Sequence, residues 1–215
     1  MGIMHKSDLY AGKYRIDSTR LKEWDYSSGS GVAIKREGSW GTAFGYYFVT
    51  ICTKNMECVL SRITDGKVVL TGIGNIAKRH WLEIPEHFKN VELDEFIIMP
   101  NHMHGIVIIE NQHCRDAING VSTDGGGITR AHNPMLSENS LSKIIRWYKG
   151  RCTFEINKIQ NTIHFAWQPR FYDHIIRNEK LLQKIREYIH NNPLKWDIDE
   201  NNPDFLEERR KNEVL

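Results

Sequence analysis

Residues 96–109 read FIIMPNHMHGIVII and decide the fold, because two apolar runs flank a short polar break that holds two histidines. Alternate side chains of a β-strand share a face, so His102 and His104 are expected to point the same way with Cα atoms about 7 Å apart. That spacing lets two imidazoles reach one divalent cation. The alternative is that both are polar residues on the solvated face of an ordinary strand.

The composition is typical of a soluble globular protein. The 215 residues are 40% hydrophobic and 26% charged, enough for one substantial domain. No apolar run reaches the roughly 18 residues of a membrane-spanning helix, and the first residues lack the apolar core of a secretory signal. The four cysteines are scattered and form no Cys-x-x-Cys pair. We therefore expect a cytoplasmic protein with reduced thiols and no membrane association.

Strand and helix patterns alternate along the chain. Aromatic and β-branched residues predict a strand over 46–53 and a hairpin over 59–70. Thr71 is expected to cap a helix to about residue 84, and Asn178 to cap a last helix over 179–191. Between them we expect strands over 91–99 and 103–110, a helix over 141–158 and an extended segment over 165–176. This β-α-β-β-α-β order predicts an α+β, ferredoxin-like split βαβ fold. It is an antiparallel sheet with helices on one face plus a C-terminal helix, and the histidines lie near the sheet centre.

The charge is unevenly distributed. The whole chain carries a net charge of +2, yet the segment 143–195 contains eleven Lys and Arg against four Asp and Glu. A basic segment in a nearly neutral chain suggests a surface that binds a polyanion. A solvated helix surface explains the same charges equally well.

The last predicted helix offers groups that could complete a metal site. Tyr188 and Asn192 are four residues apart and therefore near one face. The amide oxygen of Asn192 suits a hard divalent ion, and the phenol of Tyr188 could attack phosphorus. Each residue also has a purely structural explanation. Tyr188 lies beside an apolar stripe and could be packed in the core, and Asn192 could simply end the helix before a proline.

Three pieces of sequence, in this order, resemble one known family. They are MPNHMHG at 99–105, FAWQPRFYDHIIR at 165–177 and YIHNNPLK at 188–195. The chain resembles the single-tyrosine transposases of the HUH nuclease superfamily, and more closely the REP-associated tyrosine transposases. The resemblance covers about residues 46–196. The histidine pair alone is weakly specific, whereas the three pieces together on the predicted topology are strongly specific.

The resemblance implies a site and a reaction. His102 and His104 would hold Mg²⁺ or Mn²⁺, Asn192 would complete the coordination, and Tyr188 would be the nucleophile. Tyr172 is a rival tyrosine, but it does not lie at the matching position on the last helix. The implied enzyme nicks and rejoins single-stranded DNA that flanks a hairpin, through a 5′-phosphotyrosine intermediate.

A DNA partner also suggests which residues contact it. Basic side chains would neutralise phosphates, and tryptophans such as Trp147 would stack on unpaired bases. Trp147 could instead be half-buried on its helix. Arg170 and His174 either contact DNA or hold the final helix. The expected DNA-binding set is Lys143, Arg146, Lys149, Arg151, Trp167, Arg170, His174 and Lys184.

The predicted organisation is an irregular N-terminal arm over 1–45, a catalytic domain over 46–196 and an acidic tail over 197–215. The tail could shield the active site or be disordered, and the polar, Gly-rich loop over 111–136 could be functional or mobile. Monomer and homodimer both stay open, as does whether the last helix acts within its own chain or on a partner. Two other functions compete: a non-catalytic nucleic-acid-binding module of the same fold, and a metallohydrolase that uses water as the nucleophile.

Overall fold

The computed structural model describes residues 9–10, 14–15, 43–111, 140–159 and 164–212. The strands are β1 Leu9–Tyr10, β2 Tyr14–Arg15, β3 Ala43–Cys52, β4 Ser61–Thr64, β5 Lys67–Leu70, β6 Val91–Ile98, β7 His102–Asn111 and β8 Tyr172–Ile176. The α-helices are α1 Gly72–Leu82, α2 Ile84–His87, α3 Leu141–Ile159, α4 Glu179–Asn191 and α5 Pro203–Asn212. Two 3₁₀ helices cover Lys54–Met56 and Asn192–Ile198. None of the described helices is both long and apolar enough to span a membrane.

The central sheet has four antiparallel strands in the order β6-β7-β3-β8. Its two inner strands come from the most apolar stretches of the sequence. β3 pairs with β7 over its whole length, from Ala43 opposite Asn111 to Cys52 opposite His102. Together with α1 and α3, this strand order is the split βαβ arrangement. The α+β, ferredoxin-like prediction is confirmed, and the histidines do begin an inner strand.

The two faces of the sheet bury different helices. One face of β3 and β7, which includes Val49 and Met103, forms a core with α1 and α3 around Trp81 and Tyr148. The other face carries a second core against α4, in which Leu182 and Ile189 join residues of the sheet, namely Phe44, Tyr46, Phe48, Ile106 and Ile108. Because side chains alternate along a strand, His102 and His104 share a face with Ile106 and Ile108. The histidine pair therefore lies on the α4 side.

Local sequence signals define where the helices begin. The hydroxyl of Thr71 accepts a hydrogen bond from the backbone N–H of Gly74 at 3.1 Å. The side-chain oxygen of Asn178 accepts one from the N–H of Leu181 at 2.9 Å. Both caps satisfy amides that have no partner inside the helix. Pro193 follows α4 and lies within the 3₁₀ helix Asn192–Ile198.

Two segments differ from the predicted elements. Residues 165–176 form a regular strand only over Tyr172–Ile176, preceded by a single β-bridge between Trp167 and Thr53. After Trp196 the chain folds into α5 rather than the disordered tail that the sequence analysis allowed as one alternative. In the predicted N-terminal arm, β1 and β2 form an antiparallel pair, and its last residues, 43–45, belong to β3. The rest of residues 1–42 and the loop over 112–139 lie outside the described residues.

Candidate active site

The histidine pair is buried at the start of β7. His102 is 0% and His104 3% exposed, and their Nε2 atoms lie 3.1 Å apart. Burial lowers the pKa of His102 to about 4, against a smaller opposing effect of Asp199. Burial, and then the neighbouring His102, lower the pKa of His104 well below its usual value. Both imidazoles are therefore neutral at neutral pH, which is the form that binds metal ions.

Helix α4 brings Tyr188 to this pair. Its phenolic oxygen lies 3.3 Å from Nε2 of His104, and its ring packs edge-on against Phe48 with centroids 6.0 Å apart. The side chain is nevertheless 44% exposed. Burial and then Asp199 raise the pKa of Tyr188, whereas a hydrogen bond with Asn192 lowers it. One edge of this residue touches the site while the other faces solvent, as a group that must meet a substrate requires.

Asn192 lies one turn beyond Tyr188 and is 3% exposed. Its side-chain oxygen has no hydrogen-bond partner among the described residues. Leaving such an acceptor buried and unpaired costs about 1–3 kcal/mol, so an atom of this kind calls for a bound donor or cation. Asn192 is thus the kind of oxygen donor that the sequence analysis sought on the last helix.

The spacing of the two histidines fits a shared divalent cation. Two neighbouring ligands about 2.1 Å from an octahedral ion are separated by about 3.0 Å, and from a tetrahedral ion by about 3.4 Å. The 3.1 Å between the two Nε2 atoms agrees with such a shared ion. The described residues contain no cluster of three His, Cys, Asp or Glu side chains able to hold a metal. An amide oxygen, as on Asn192, is a donor outside those four residue types.

An ion pair fixes α4 against the sheet, in addition to the apolar contacts. The Arg186 guanidinium donates from Nε to Asp94 Oδ1 at 3.1 Å and from Nη2 to Oδ2 at 2.6 Å. Asp94 lies in the irregularity of β6 between Leu93 and Phe96. Arg186 lies two residues before Tyr188. This bidentate pair therefore helps to fix the part of α4 that carries the phenol. No local pattern of the sequence predicts this pair, because its two residues lie 92 positions apart.

The basic residues of α3 do not reach the site. α3 packs on the sheet face opposite α4, so its predicted DNA-binding residues lie on the other side of the sheet from Tyr188. Those residues are Lys143, Arg146, Lys149 and Arg151. The Lys149 ammonium donates to the backbone carbonyl of Gln168, and to those of Pro169 at 3.3 Å and Arg170 at 3.4 Å. It therefore holds this segment in place, and burial lowers its pKa to about 8.

Trp167 requires a correction. The sequence analysis expected it to stack on unpaired bases, yet it is only 7% exposed and packs in the core against Phe165 and Tyr148. A β-bridge between Trp167 and Thr53 holds the backbone of this segment in place. With the indole ring packed in the core, neither of its faces is free to stack on a base. Trp147 is half-buried and stacks on His87 with centroids 4.6 Å apart.

Three other predicted residues are exposed, and two of them are placed on the α4 side. His174 pairs with Phe48 in the β8–β3 register, which puts it on the face that carries the histidine pair. Lys184 lies one turn before Tyr188 on α4. Arg170 is exposed in the segment before β8. The rival Tyr172 lies opposite Thr50 and packs edge-on against Phe48, with centroids 6.5 Å apart.

Comparison with solved structures finds transposases with a similar course of the chain. One is a REP-associated tyrosine transposase bound to a REP hairpin, 20% identical, with a TM-score of 0.46 over 75% of this chain and 72% of that chain. Another is a putative transposase from Deinococcus radiodurans, 15% identical, with a TM-score of 0.37 over 73% of this chain and 95% of that chain. At these identities the likeness concerns the fold alone.

Sequence comparison gives a relative of nearly equal length. No family model matches the chain. An uncharacterized protein of Haemophilus influenzae is 35% identical over 191 residues, which make up 88% of this chain and 94% of that protein. Such identity over almost the full length of both chains means a shared fold and a shared ancestor. The chain belongs to the same family as this Haemophilus influenzae protein.

Proposed function

We propose that this protein is a metal-dependent, transposase-like enzyme that nicks and rejoins single-stranded DNA beside a hairpin, with Tyr188 as its nucleophile. One observation carries the proposal: the Tyr188 phenol contacts Nε2 of His104, which lies 3.1 Å from Nε2 of His102. A nucleophile in contact with one of two convergent neutral imidazoles is an arrangement suited to phosphoryl transfer.

His102, His104 and Asn192 would hold the cation, Mg²⁺ or Mn²⁺. When bound, it supplies charge stabilisation to a phosphate oxygen of the scissile bond. The three side chains themselves fix where that phosphate can approach.

The Tyr188 oxygen attacks phosphorus, and the bond from phosphorus to the 3′-oxygen breaks. The phenol gives up its proton to solvent, and the departing 3′-oxygen takes one up as a hydroxyl. The DNA 5′-phosphate remains on Tyr188 as a phosphodiester of similar energy. Attack by a 3′-hydroxyl then reverses the step and rejoins DNA without ATP.

The geometry supports a substrate strand on the α4 side of the sheet. Tyr188 is exposed there, and Lys184 and His174 lie exposed on the same side. Lys184 would attract the phosphates of that strand. All proposed catalytic groups belong to one chain, so we infer that α4 acts on its own histidine pair and that a monomer suffices.

The test is covalent trapping. Full-length protein is incubated with Mn²⁺ and labelled hairpins that carry single-stranded flanks, and adducts are separated on a denaturing gel. We expect an adduct with wild type and with the matched control Tyr172→Phe, but none with Tyr188→Phe. Nicking by Tyr188→Phe without an adduct would indicate water as the nucleophile. DNA binding by wild type without adduct or nicking would indicate a binding module.

A further inference from the structure

The second ring nitrogen of each site histidine also has a partner inside the protein. His102 Nδ1 lies 2.8 Å from the side-chain oxygen of Asn101, the buried residue before it. His104 Nδ1 lies 2.8 Å from the hydroxyl of Thr50, its cross-strand neighbour on β3. Neither oxygen faces the proposed cation, so the contacts lie behind the ligand atoms.

We propose that Asn101 and Thr50 are positioning residues of the metal site. Their side-chain oxygens accept the Nδ1–H of His102 and His104, and thereby hold both Nε2 lone pairs toward one cation. The inference rests on the proposed metal-dependent function and adds to it which residues preorganise the ligands. Groups that hold a ligating imidazole from behind typically change metal affinity by about 10–100-fold when removed.

The orientation of the Asn101 amide follows from its other contacts. Its nitrogen donates to the backbone carbonyl of Asn201 at 2.7 Å and to that of Met56 at 3.2 Å. A flipped amide would set its oxygen against two carbonyl oxygens, so the side-chain oxygen must face His102. That oxygen can only accept a hydrogen bond, which places the proton of neutral His102 on Nδ1 and leaves the lone pair on Nε2.

The tautomer of His104 depends on what Nε2 binds, because the hydroxyls of Thr50 and Tyr188 can each donate or accept. Without a cation, the 3.1 Å contact between the two Nε2 atoms is a hydrogen bond when His104 carries its proton on Nε2 and donates it to His102. A cation on Nε2 of His104 requires the proton on Nδ1, where the oxygen of Thr50 accepts it. Thr50 therefore favours the metal-binding tautomer of His104.

Asn101 also connects the site to the segment that follows α4. The carbonyl of Asn201 accepts the hydrogen bond from Asn101. Asn201 in turn donates to Asp199 Oδ1, from its backbone N–H at 2.7 Å and from its side-chain amide at 3.0 Å. A continuous chain of hydrogen bonds thus runs from this turn to His102. The segment beyond the nucleophile helix consequently supports the orientation of a metal ligand.

The experiment measures Mn²⁺ affinity of the full chain by calorimetry, with His104→Gln defining binding at this site. We expect Thr50→Val, which keeps the shape but loses the hydroxyl, to weaken Mn²⁺ binding about 10-fold or more. The matched Thr50→Ser variant keeps the hydroxyl and should bind nearly as wild type. Nitrogen-15 NMR of metal-free wild type should show His102 protonated on Nδ1, because the side-chain oxygen of Asn101 can only accept a hydrogen bond.

The outcomes separate the two proposals. If wild type binds Mn²⁺ and forms the Tyr188 adduct while Thr50→Val keeps wild-type Mn²⁺ affinity, the positioning role is wrong and the proposed function stands. Protonation of metal-free His102 on Nε2 overturns the inference without any variant. Wild type that binds no Mn²⁺ sensitive to His104→Gln overturns both proposals.

Discussion

Gly105→Ala tests how tightly the strand behind the histidine pair is packed. Gly105 follows His104 on β7 and faces α1, where a Cβ would lie 2.4 Å from Cζ2 of Trp81 and 3.1 Å from two further ring atoms. Carbon atoms pack at about 3.5–4.0 Å. The ring or the strand would therefore have to move by about 1 Å or more.

Neither partner has room to move. Trp81 is 0% exposed and its ring lies between Phe96 and Tyr148, with centroid distances of 6.2 Å and 5.3 Å. Overpacking a core of this kind costs about 1–3 kcal/mol. Replacing a glycine within a strand by alanine recovers roughly 0.5–1 kcal/mol of stability, because alanine loses less conformational freedom when the chain folds. Because the indole is confined, we expect a net loss of about 2 kcal/mol in the free energy of unfolding.

Urea denaturation followed by far-ultraviolet circular dichroism measures this loss. Gly150→Ala is the matched control, because its Cβ would meet no atom within 4 Å in the interior of α3. There the same exchange should raise the free energy of unfolding by about 1 kcal/mol, from helix propensity alone. The two alanine variants are thus expected to change stability in opposite directions.

A double-variant cycle identifies the clashing atoms. Trp81→Phe lacks the indole atoms that a Cβ on residue 105 would meet. Gly105→Ala should therefore cost at least about 1 kcal/mol less in the Trp81→Phe background than in wild type. Strictly additive effects, or a Gly105→Ala variant as stable as wild type, would refute the packing argument.

Two further variants test contacts away from β7. Arg186→Met removes the bidentate pair with Asp94 and should cost about 1–3 kcal/mol in urea denaturation, because it leaves a largely buried carboxylate unpaired. It should slow adduct formation more than it weakens Mn²⁺ binding, because His102 and His104 stand on β7, and a loss of affinity as large as the loss of rate would contradict this. A hydrogen bond from Arg79, and to a smaller extent one with His80, holds the pKa of Glu155 below its usual 4.5. The ionised carboxylate therefore stabilises the fold above pH 4.5. The stability gap between wild type and Glu155→Gln should narrow as the pH falls below 4.5, and a constant gap would contradict the pairing.

The parts of the fold that were predictable rest on local patterns. The apolar runs on either side of the histidines specify two paired strands, because burial from both faces leaves few polar positions. Thr71 and Asn178 mark helix starts, since capping depends only on residues three positions apart. The alternation of His102 and His104 likewise predicts a shared face without any tertiary information.

What the sequence could not supply is how distant elements meet. The periodicity of α3 identifies its apolar side but not which face of the sheet it covers, so it could not place the basic residues of α3 relative to Tyr188. Trp167 lies in an extended segment that is held by a single β-bridge to Thr53. No local pattern predicts which side of that segment faces the core. The pair of Arg186 and Asp94 joins an exposed-looking helix to an irregular strand.

The candidate site joins a rigid half to a half held by fewer contacts. His102 and His104 stand on an inner strand that is paired on both sides, backed by Trp81 on one face and by Asn101 and Thr50 behind the rings. Tyr188 stands on α4, which the sheet holds through a small apolar stripe and one ion pair. Elements with few buried contacts open at lower free energy than a central strand. Any adjustment of the site to a DNA strand should therefore come from the nucleophile helix and Asn192 at its end, while the two histidines stay fixed.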